Sequence, residues 1–134
     1  MKLRRTLLLA LLALTLFSCS QEEADQSEST SIVILHTNDM HASMEGFSRL
    51  AAYKQELEQK YDHVLLVSAG DIFSGNPVVD FYKEKGYPMV DLMNRVGYRV
   101  STIGNHEFDY GQEIFKERME QADFPFICAN MDTR

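Results

Sequence analysis

The sequence predicts an α/β fold layered around a largely parallel sheet, and two observations carry that prediction. Short β-branched apolar runs alternate with stretches of helical period across residues 32–134, which is the pattern of repeated strand-helix-strand units. That segment, about 103 residues, is also long enough for one hydrophobic core and too short for two.

The elements follow in order. Ile32-Val33-Ile34-Leu35 is continuously apolar, as a strand covered on both faces would be. Phe47, Leu50, Ala51, Lys54, Leu57 and Tyr61 then recur at three- and four-residue steps and read as a helix. Val64-Leu65-Leu66-Val67 is a second strand, and Asn76-Pro77 shapes the loop beyond it. Pro88 suits the first helical position ahead of Met89, Leu92, Met93 and Val96, with Gly97 as the stop. A third strand spans residues 100–103, a third helix carries Ile114, Phe115, Met119 and Ala122, and a fourth strand spans residues 126–129. Cys128, inside that last run, is expected as a small buried thiol.

Residues 1–31 belong to no core. Lys2, Arg4 and Arg5 precede an apolar run from Leu7 to Phe17 that is too short to span a bilayer and fits a secretory leader. Leu16-Phe17-Ser18-Cys19 resembles the lipobox of bacterial lipoproteins. That resemblance implies a signal peptide over residues 1–18, acylation of Cys19, and a lipid-anchored position in the cell envelope. Residues 19–31 are almost wholly Gln, Glu, Asp, Ser and Thr, and read as an acidic flexible tether. With Cys19 acylated, Cys128 has no partner for an intrachain disulfide.

Loss of the three leader cations takes the formal charge from −7 to about −10. Such a balance argues against nucleic-acid polymers as partners. Phosphate compounds are still admitted if bound metal cations reverse the local sign. Nothing in the sequence indicates a protein partner.

Potential ligands stand just after each of the first three strands, where open α/β sheets form their binding crevice. Asp39 and His41, two residues apart, point the same way in an extended loop and suit one cation. Asp71 follows Gly70 and leaves a carboxylate with two oxygens to bridge two cations, while Asn105 offers a neutral oxygen to the second. Mixed nitrogen and oxygen donors suit two divalent ions of the Zn²⁺ or Mn²⁺ type. A pair of such ions about 3.5–4 Å apart activates a bridging water for in-line attack at phosphorus. His106 diverges from its neighbour Asn105 and meets Asp109 if a helical turn intervenes, which suits a catalytic pair that protonates a leaving oxygen. For Glu107 and Tyr110, capping, packing and surface roles suffice, and His36 and His63 are expected to be structural or superficial.

These blocks resemble a known family. Residues 34–41 (Ile34 to His41), Ser68-Ala69-Gly70-Asp71 with Gly75, and residues 104–111 (Gly104 to Gly111) are similar to the first three blocks of the bacterial 5′-nucleotidases, within the calcineurin-like metallophosphoesterases. The resemblance implies a layered β-sandwich flanked by helices. It also implies Asp39 and His41 on the first metal, Asp71 bridging, Asn105 on the second, and His106 with Asp109 as the catalytic dyad. The implied activity is hydrolysis of nucleotide phosphoesters, of the 5′-nucleotidase or 2′,3′-cyclic phosphodiesterase type, by a metal-bridging hydroxide. The family's later blocks supply further metal-binding histidines, whereas all four histidines here precede residue 107. Residues 32–134 are therefore expected to be the amino-terminal part of such a domain, incomplete at the carboxy terminus. The alternative is a non-catalytic lipoprotein fragment that binds a metal or a nucleotide.

Overall fold

The computed structural model describes residues 29–131. The leader, Cys19 and most of the acidic tether lie outside the described residues. Strand β1 (Ile32–Thr37) leads to helix α1 (Phe47–Glu58), then to β2 (His63–Ser68) and a one-turn helix α2 (Pro77–Asp80). Helix α3 (Tyr87–Val96), β3 (Val100–Thr102), a 3-10 turn (His106–Phe108), α4 (Gln112–Gln121) and β4 (Phe126–Ile127) complete the series.

All neighbouring strands pair in parallel, in the sequential order β1-β2-β3-β4. Because Thr37 lies beside Ser68 and Ser68 beside Ser101, the first three strands finish almost level. The loops that follow them consequently emerge side by side. The expected α/β architecture with a parallel sheet is what the chain forms, and a single sheet is present among the described residues.

The core sits between one face of this sheet and the helices. Leu66, Phe73, Met89, Val90, Met93, Phe115 and Phe124 are buried there, and helix α1 packs on β2 and on α3. Phe115 meets Phe73, Phe108 and Phe126 edge to face, an arrangement that favours aromatic rings.

Several boundaries differ from expectation. Helix α1 stops at Glu58, so Tyr61 lies beyond it, and Pro88 occupies the first turn of α3 after Tyr87. Asn76-Pro77 starts a helix rather than shaping only a loop: Asn76 accepts the Val78 N–H at 3.0 Å, a side-chain cap that opens α2. Strands β3 and β4 are shorter than their apolar runs.

The largest departure concerns β1. Its burial alternates, leaving Ile32 and Ile34 61% and 63% exposed, because among the described residues the helices cover one face only. Leu65 and Ile127 lie on the same open face. Cys128 is half-buried rather than enclosed, and its thiol donates to Asn130 Oδ1 at 3.1 Å. His36 and His63 are exposed. Among the described residues no helix is long and apolar enough to cross a membrane.

Candidate metal centre

Three loops meet at the carboxyl ends of β1, β2 and β3. The first and second are zipped together by their main chains: Asp39 N donates to Gly70 O (3.3 Å), His41 N to Asp71 O (3.1 Å) and Ala42 N to Ile72 O (2.8 Å). The backbone between these bonds is left-handed at Asp39, His41, Ala42, Asp71 and Ser74, with φ from 44° to 65°. The first loop is therefore not extended, contrary to expectation. Left-handed backbone at five non-glycine residues, all in these loops, is strain of about 1–3 kcal/mol each that the surrounding bonds must offset.

The second and third loops approach more closely still. A Cβ on Gly104 would lie 2.2 Å from Asp71 Oδ1, and one on Gly70, whose φ is +92°, would lie 2.8 Å from Gly104 N. Only glycine lets these chains touch. His106 N donates to Asp71 Oδ1 at 3.0 Å, fixing one carboxylate oxygen and leaving the other free.

This packing brings His41, Asp71 and His106 together, each offering a ligand atom within 4.8 Å of the others. The rings of His41 and His106 meet edge to face with centroids 4.5 Å apart. Two imidazoles and a carboxylate form a donor set that fits a borderline divalent metal. Asp39 and Asn105 are exposed, and the Asp39 carboxylate stands outside that trio. Asn38 Nδ2 donates to Asp39 Oδ2 at 2.8 Å, and Asp39 lines a cleft of about 400 Å³ with Ser43 and Phe47. Asn105 is the residue that enters the 3-10 turn.

His106 and Asp109 do meet. In a 3-10 turn residues i and i+3 eclipse, and His106 Nδ1 lies 2.7 Å from Asp109 Oδ2. That hydrogen bond raises the His106 pKa above that of free imidazole, with the charges of Asp109, Asp71 and Glu107 adding to it against the opposing effect of burial. Asp109 is lowered, first by the Ser74 hydroxyl and then by His106.

Ser74 was not foreseen. Its hydroxyl donates to Asp109 Oδ2 (2.5 Å) and lies 3.3 Å from His106 Nδ1. Its N–H donates to the Tyr110 hydroxyl (3.1 Å), which itself donates to Asp80 Oδ1. Burial, and then the Asp80 bond, push the Tyr110 pKa up. A single Ser between Phe73 and Gly75 carries no spacing signal that could have identified it.

Of the capping, packing and surface roles expected for Glu107, the surface one is excluded. It is fully buried and accepts N–H bonds from Asp71 (3.1 Å), Ile72 (2.6 Å) and Gly104 (2.5 Å). Hydrogen bonds to an ionised acceptor contribute about 1.5–3 kcal/mol each, enough to offset much of the strain nearby.

A parallel sheet with imidazole and carboxylate donors gathered at its strand ends is an arrangement that a metallophosphoesterase would present. Residues 32–132 match the family described as calcineurin-like phosphoesterase, and the chain belongs to that family. Among its relatives is a protein of Yersinia enterocolitica named 2′,3′-cyclic-nucleotide 2′-phosphodiesterase/3′-nucleotidase, 31% identical over 96% of this chain and 22% of that protein. A snake venom 5′-nucleotidase of Gloydius brevicauda is 36% identical over 75% of this chain and 20% of its own. The crystal structure of a 5′-nucleotidase precursor from Thermus thermophilus superposes with a TM-score of 0.66 at 31% identity, covering 74% of this chain and 22% of that one. The chain thus spans a quarter or less of the length of these relatives.

Proposed function

We propose that the protein is a metal-dependent hydrolase of nucleotide phosphoesters, of the 5′-nucleotidase or 2′,3′-cyclic phosphodiesterase type. The observation that carries this reading is the convergence of His41 and Asp71 beside the His106–Asp109 pair at the ends of three adjacent strands. Asp39, His41, Asp71 and Asn105 are assigned to two divalent cations, Zn²⁺ or Mn²⁺ by donor type. When bound, such ions polarise the phosphoryl group and lower the pKa of water.

The chain's own residues do the rest. Asp109 accepts the Nδ1 proton of His106 and favours the imidazolium, in which Nε2 carries the second proton and can donate it. A raised pKa keeps that imidazole protonated over a wider range, so His106 is suited to neutralise phosphoryl charge and to protonate the leaving oxygen. Asp71, with Oδ1 held by the His106 N–H, keeps its second oxygen for the ions. The activities for which the relatives are named support nucleotides as substrates. Export and anchoring through acylated Cys19 are part of the same proposal, and C19S should release the protein from the membrane fraction.

The test is phosphate release from AMP, 2′,3′-cyclic AMP and an aryl phosphate by the full-length protein loaded with Mn²⁺ or Zn²⁺. Hydrolysis is expected, and its absence on all three would overturn the reading. His106→Ala should lower turnover by about 10²–10⁴-fold while metal content falls far less. Equal loss of both would move His106 from the dyad to the ligand set.

A further inference from the structure

Glu107 is the sole buried carboxylate among the described residues, and the reaction outlined above gives it no part. Its bond to Gly104 N, three residues earlier, is the kind a local turn asks of an acidic residue. The other two bonds are not. They reach Asp71 N and Ile72 N, 36 and 35 residues away, on a different loop.

The donors are shared out between both oxygens. Oε1 takes Ile72 N, while Oε2 takes Asp71 N and Gly104 N. A carboxylate satisfies this set, since it accepts at every lone pair. A glutamine amide cannot, because its NH₂ must face an N–H on one side or the other. Adjacent side chains of the turn diverge, so His106 points to Asp109 and the crevice while Glu107 points inward.

We propose that Glu107 is a positioning residue that fastens the Asp71 loop to the Gly104–His106 loop and thereby sets the attitude of the Asp71 carboxylate. This rests on the metal-site reading of Asp71. The clamp holds the N–H groups on both sides of a left-handed residue (Asp71, φ 53°), and the same loop contact delivers the His106 N–H to Asp71 Oδ1. With the clamp gone, the carboxylate keeps its chemistry and loses its aim.

The experiment compares full-length wild type, E107Q and R118M by Mn²⁺ titration, by the visible absorption of the Co²⁺-loaded protein, and by metal-free thermal melting. Arg118 is also a buried charge, and its contacts are to Lys85, Tyr87 and Glu117, away from the ligand loops. E107Q should weaken Mn²⁺ uptake by about 10–100-fold, the usual effect of losing a partner that orients a ligand, and should change the Co²⁺ spectrum. R118M should lower the melting temperature with Mn²⁺ affinity within about twofold of wild type. Wild-type Mn²⁺ affinity and spectrum in folded E107Q would overturn the clamp alone. If E107Q yields no folded protein, E107D decides, since it keeps both oxygens one methylene short: uptake at least about tenfold weaker supports the clamp, and uptake matching wild type overturns it. A wild-type protein that takes up no Mn²⁺ removes the metal reading and the clamp with it.

Discussion

The two joints that assemble the site are built differently. Between the first and second loops the bonds at Asp39, His41 and Ala42 run from main chain to main chain, with one side chain, Asn76, donating to Ala42 O beside them, so side-chain identity enters little. Between the second and third loops, main-chain groups meet side chains, above all Glu107 and also Asp71 and Tyr110, across a contact that only Gly104 and Gly70 permit. The first joint should therefore tolerate substitution, and the second should fail when one atom is added or one charge removed. The second joint also carries the residues with chemistry to perform, since His106 and Asp109 stand on its far side.

Gly104→Ala attacks the second joint most directly. Its Cβ would sit 2.2 Å from Asp71 Oδ1 and 2.7 Å from Asp71 N, so the loops must part. Overpacking alone should cost about 1–3 kcal/mol, read as a lower melting temperature, and elemental analysis of the full-length protein should find metal content reduced by about tenfold or more. Wild-type metal content in this variant would show that the close approach is not what aligns Asp71.

Ser74→Ala is a gentler probe of the same side. It removes the hydroxyl that holds Asp109 and adjoins His106 and leaves the main-chain bonds alone. A hydrogen bond to a charged acceptor of about 1.5 kcal/mol corresponds to about tenfold in turnover, with metal content unchanged. Steady-state kinetics beside metal analysis will separate the two, and a loss of metals instead would place Ser74 among the groups that hold the loops.

Tyr110→Phe removes the hydroxyl between Ser74 N and Asp80 while keeping the ring against Phe73. About 1 kcal/mol of stability should go, seen in denaturant unfolding, and turnover should change less than in Ser74→Ala. The smallest effect belongs to the first joint. Ala42→Gly relieves a left-handed φ of 58°, which stabilises by about 1–2 kcal/mol. Chain entropy and one lost buried methyl offset that by about the same amount. Stability should stay within about 1 kcal/mol and Mn²⁺ affinity should match wild type; a large loss of metal would show the two joints to be equally fragile.

Much of this arrangement is legible in the residues. The alternation of apolar runs and helical stripes gives the α/β sheet, and the Gly97 stop and early Pro88 mark α3 well. Asp39, His41 and Asp71 carry a local cue to their left-handed backbone, since Asp, Asn and His enter that region more readily than other residues. Ala42 and Ser74 carry none. Glu107 escaped because its partners lie 35 and 36 residues away and its burial depends on how the loops stack, neither of which leaves a periodic trace. The run Ile32-Val33-Ile34-Leu35 was misleading for a related reason: composition reports that a strand can be covered on both faces, while the observed exposure of Ile32 and Ile34 depends on which layers are beside it.

The sequential strand order bears on how the site comes together in time. The bond from Asp39 to Gly70 closes a span of 31 residues, and that from Asp71 to Glu107 a span of 36. Loop-closure entropy grows only with the logarithm of length, so the two closures differ by about 0.1 kcal/mol. Neither is favoured by entropy. The tolerant joint needs only the chain up to Ile72, whereas the exacting one also needs Glu107.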